Sequence, residues 1–147
     1  MSTSDTDGRQ GARRPVRRSS IKTAIAYLAV SLLCVAVANV YALFGHGIRS
    51  DSMDLMFLYP LLGGAVLFLL VALVAPRLPE RLQKASRVGY NLYNSGIACL
   101  TSAALLTGIM EIAGTGSKGI PYIQAFGIVF LAAAAAFQAV SLFKRGG

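Results

Sequence analysis

Tryptophan is absent from this chain, histidine occurs once, cysteine twice, and only six acidic residues stand among 147. Each scarcity closes a class of function. A single histidine, His46, rules out a bis-histidine haem held by one chain and leaves no histidine-rich metal site. Cys34 and Cys99 both fall inside long apolar runs with no C-x-x-C partner, so they read as small packing residues and not as a redox or disulfide framework. No G-x-S-x-G, no glycine loop followed by a phosphate-binding lysine, no H-E-x-x-H and no dinucleotide fingerprint occurs. The expectation is a protein without enzymatic activity, without a cofactor and without a metal site.

What the chain has in abundance is apolar length. Apolar residues make up 55% of it, charged residues only 14%, and mean hydropathy is +0.61. Four runs, 23–44, 55–75, 88–113 and 120–143, are each long enough to cross a hydrocarbon core of about 30 Å at 1.5 Å per helical residue. None alternates apolar with polar residues, and each is over twice the length of a spanning strand, so a β-barrel is excluded. Four helices apolar nearly all round need lipid to cover them. The expected fold is an all-α integral membrane protein, an antiparallel four-helix transmembrane bundle occupying residues 21–143.

Charge orients that bundle. Arg9, Arg13, Arg14, Arg17, Arg18 and Lys22 precede the first run, Arg77, Arg81, Lys84 and Arg87 fill the second loop, and Lys144 and Arg145 lie in the short tail 144–147. The first and third loops hold only Arg49 and Lys118. Cationic segments stay on the cytoplasmic side, so both termini are expected there. The formal net charge of +8 thereby has a membrane explanation, and nucleic acid is not an expected partner. The general pattern resembles that of small four-span bacterial membrane proteins, which makes the plasma membrane the expected location.

Residues 1–20 are polar and basic with almost nothing to bury, and are expected to form a disordered tail. Its Arg13, Arg14, Arg17 and Arg18 are candidate contacts for anionic headgroups, each gaining about 1 kcal/mol at the surface. The serines at 19 and 20 are candidate caps for the first span, and the glycines around His46 a candidate stop. In the second run, Pro60 followed by Gly63 and Gly64 predicts a kink or a close helix approach.

Two constellations carry whatever chemistry there is. The orientation places His46, Asp51, Asp54 and Glu111 at the outer boundary, where an imidazole and three carboxylates could take a divalent metal or relay a proton. The plainer account has an aspartate capping a helix and Glu111 reaching water or pairing with Arg49 or Lys118. The third run places Asn91, Asn94, Ser95 and Ser102 on one helical face, suited to interhelical hydrogen bonds or to a hydrophilic path. In the fourth run, Gly127 and the alanines 132–136 form a packing surface, and six tyrosines divide between the two predicted boundaries as interfacial belts.

Packing features outnumber chemical ones. The leading expectation is therefore a non-catalytic structural or accessory subunit that associates with itself or with a larger membrane partner. A small oligomeric transporter coupled through Glu111, and an extracytoplasmic metal or pH sensor using His46 and Asp54, are the alternatives.

Overall fold

The computed structural model describes residues 4–45, 47–74 and 87–143. Its secondary structure is helical throughout, with no strand among the described residues. Four stretches are long and apolar enough to cross a membrane: Arg18–Phe44, Asp51–Val74, Val88–Ile112 and Ile120–Ser141. They match the four expected runs, and they are called the first to fourth spans below. Residues 75–86, with Arg77, Arg81 and Lys84, and the tail 144–147 lie outside the described residues, as does His46, whereas Arg87 opens the third helix.

The first helix, Ser4–Phe44, starts well before its span and takes in the segment expected to be unordered. Helical hydrogen bonds close within the segment itself, so the ladder needs no burial to continue outward. It passes through Ser19 and Ser20 without a cap there; the Thr23 hydroxyl donates to the Ser19 carbonyl instead, at 3.2 Å. The helix stops where expected: Gly47 takes a φ of 83° and its amide donates to the Ala42 carbonyl at 2.9 Å.

The second span is built in pieces. A four-residue α-turn, Asp51–Asp54, leads through a turn into a π-helix, Tyr59–Val66, and then an α-helix, Leu67–Val74. Pro60 supplies no amide hydrogen and the two glycines loosen the backbone, which lets the ladder slip from i→i+4 to i→i+5. The predicted kink is thus a change of helical register. Met56, Pro60, Phe68 and Ala72 along this span are buried, and so is Gly64.

The third helix, Arg87–Ile112, ends in a Schellman motif. Gly114 sits at φ 66°, its amide donates to the Glu111 carbonyl at 3.1 Å, and the Thr115 amide reaches the Met110 carbonyl at 3.0 Å. The fourth helix is Ile120–Phe143. The first span packs on the second, the second on the third, and the third most extensively on the fourth; the second and fourth share no such interface.

Small residues make these approaches possible. A Cβ on Gly64 would overlap the Tyr27 ring, and one on Gly108 would lie 2.5 Å from the Met53 Cβ and 3.0 Å from its amide nitrogen. Gly96 and Gly127 pack across the third and fourth spans against Leu131 and Leu100 respectively. The core beside Gly108 joins Cys34, Ala38, Met53, Met56 and Ala104. Both cysteines are free, Cys34 in this core and Cys99 half-buried beside Gly127.

Because the overlap on Gly64 involves the root of the Tyr27 ring and not a flexible tip, Gly64→Ala should cost about 1–3 kcal/mol of stability despite better helix propensity. Gly116→Ala, which meets nothing within 4 Å, should stay within about 0.5 kcal/mol. Equilibrium unfolding in mixed micelles distinguishes them, and equal stability of the two variants would contradict the packing described.

Candidate functional site

The expected cluster of acidic residues and histidine resolves into separate pairings at the first-loop end of the molecule. Ser50 is the N-cap of the turn Asp51–Asp54, in extended conformation, and its hydroxyl accepts from the Met53 amide at 3.4 Å. The same hydroxyl donates to one oxygen of Glu111, and the Ser52 hydroxyl donates to the other at 2.9 Å. Glu111 therefore ties the end of the third span to the start of the second. Glu111 pairs with neither Arg49 nor Lys118; Arg49 is taken by Asp54.

Arg49 grips Asp54 with both faces of its fork, Nε to Oδ2 at 2.8 Å and Nη2 to Oδ1 at 3.1 Å. The hydrogen bond and the charge of Asp54 push the Arg49 guanidinium above its ordinary pKa. Asp51 makes no ion pair among the described residues. Nor do the described cysteine and acidic residues form a group of three able to hold a metal. His46, the fourth member of the expected cluster, lies outside the described residues.

Of the polar face of the third span, one member turns inward. Asn94 accepts a hydrogen bond of 2.6 Å from the Tyr27 hydroxyl, while Tyr90 and Thr23 share one of 3.0 Å. Asn91, Ser95 and Ser102 are exposed. The tyrosines expected as an inner belt instead gather around Phe68: Tyr27 stacks on it at 5.8 Å, and Tyr90 and Tyr93 meet it edge-on at 5.6 and 6.1 Å. The Tyr93 hydroxyl donates to the Gly63 carbonyl within the π-helix. Each of these three hydroxyls therefore has a partner.

Arg13, Arg14, Arg17 and Arg18 all fall within the first helix, with Arg18 exposed. Asn39 donates to the Val35 carbonyl of its own helix at 2.8 Å. The small residues of the fourth span divide: Gly127 and Ala134 are buried, Gly127 against Leu100 and Cys99, whereas Ala132, Ala135 and Ala136 are exposed.

A feature that sequence reasoning missed lies between the second and fourth spans. Since these do not pack on each other, a groove of about 710 Å3 opens there, floored by the third span. Leu55, Leu58, Leu62, Leu100 and Leu131 contribute apolar surface, and Asp51, Ser52, Thr107 and Gln124 polar groups. The linear order of the chain holds no trace of it, because it arises from which helices fail to meet. No family model matches the chain, and neither does any curated protein or solved structure.

The double use of Ser50 gives a direct expectation. Ser50→Ala removes the cap and half the Glu111 anchor, so amide exchange at Met53 should quicken about fivefold, the equivalent of a cap worth about 1 kcal/mol. Arg49→Ala removes only an exposed ion pair and should leave that rate unchanged. Hydrogen exchange read by mass spectrometry on the two variants checks both.

Proposed function

We propose that this protein is a non-catalytic subunit of a membrane assembly, an up-down bundle with both termini in the cytoplasm that associates laterally through the third span. The observation that carries the reading is the outward placement of Asn91, Ser95 and Ser102, which have no side-chain partner among the described residues. Ala98 lies between them on the same face and is also exposed. Polar groups left in hydrocarbon are costly, and small side chains let a second backbone come close. A partner helix carrying its own donors and acceptors relieves that cost, at about 0.6 kcal/mol per hydrogen bond plus the gain in packing.

Supporting the up-down arrangement, Thr23 with Tyr90 and Tyr27 with Asn94 pair at the same separation of 67 residues, which suits first and third spans that run in one direction. The distribution of basic residues supports the cytoplasmic termini. The interior small residues, Gly127 and Ala134, are already used within the chain and are not the association surface. A transporter coupled through Glu111 would need that carboxylate to exchange a proton, whereas hydroxyls of Ser50 and Ser52 engage both its oxygens.

Extraction from native membrane directly into lipid nanodiscs, followed by native mass spectrometry, tests the reading. A defined stoichiometry, with a second protein or with further copies, is expected for the unaltered chain. The double variant Asn91→Leu with Ser95→Leu should lose the complex at least tenfold while its unfolding midpoint holds. A single copy per disc for the unaltered chain would overturn the proposal.

A further inference from the structure

The groove between the second, third and fourth spans has the dimensions and the asymmetry of a ligand site. At about 710 Å3 it falls within the range of about 300–1,000 Å3 that small-molecule sites occupy. Five leucines give it much of its apolar wall, and Asp51 lines it at the first-loop end. Three carboxylates stand at that end, and two are committed: Asp54 to Arg49, Glu111 to Ser50 and Ser52. Asp51, exposed and without an ion pair among the described residues, is the one left to face a ligand.

We propose that this groove binds an amphiphilic cation, with its apolar tail along the leucines and its positively charged head against Asp51. Charge complementarity selects the head: beside low-dielectric walls a carboxylate attracts a cation and repels an anion far more strongly than in open water. The second and fourth spans make no extensive contact, which leaves a lateral way in for a molecule already partitioned into the bilayer.

The test uses the full-length protein in nanodiscs of zwitterionic lipid, with decyltrimethylammonium and decyl sulfate as submicellar probes of equal chain length and opposite charge. Equilibrium dialysis against empty discs measures the excess bound, and native mass spectrometry its stoichiometry. One cation per chain above the empty-disc value, with no excess of the sulfate, is expected. Asp51→Asn should weaken cation binding at least tenfold without changing the unfolding midpoint. Gln124→Trp, which narrows the groove and leaves its charge intact, should weaken binding as well. Equal excess of the two probes, or binding unaffected by both substitutions, would overturn the assignment.

Discussion

Helices that lipid solvates as well as protein does gain little by hiding leucine from their surroundings, so close approach and internal hydrogen bonds have to hold this molecule together. Both converge on the second span. Where it lacks side chains, at Gly63 and Gly64, it receives the Tyr27 ring, the Ile97 side chain and the Tyr93 hydroxyl; where it carries Met53, the third span yields space at Gly108. Replace those glycines with bulk and the first, second and third spans lose their common surface. The tyrosine cluster at one end and the serine–glutamate tie at the other then have nothing to brace.

Much of the architecture can be read from the residues in order. Apolar length located the four spans, the glycines around residue 46 marked the end of the first helix, and Pro60 with its two following glycines announced an irregular second span. The faces were harder. Periodicity places Asn91, Asn94, Ser95 and Ser102 on one side of a helix, yet a rotation small enough to leave that pattern intact decides that Asn94 meets Tyr27 while the other three look outward. A soluble helix is oriented by the contrast between core and water; a helix apolar all round offers no such contrast.

Site residues divide on the same line. An aspartate was expected to cap the start of the second span, but Ser50 takes that place, and nothing local connects it to Glu111, 61 residues away. Tyr27, Tyr90 and Tyr93 were assigned to one boundary because amphipathic rings favour it, but their gathering around Phe68 and the partners of their hydroxyls depend on how three helices are rotated, which the residue order does not record. The fourth span, held by the third alone among its extensive contacts, leaves the groove as a product of layout and not of any motif.

The π-helical stretch sets a rotational phase. Met56, Pro60, Gly64, Phe68 and Ala72 recur every four residues, and on a regular α-helix of 3.6 residues per turn that series would precess by about 40° at each step and wander off its partner. Turns closed by i→i+5 bonds hold more residues and wind the series back. The irregularity around Pro60 thus works as a vernier: it keeps one edge of the second span aimed at the same neighbours above and below it, which an unbroken helix with this sequence could not do.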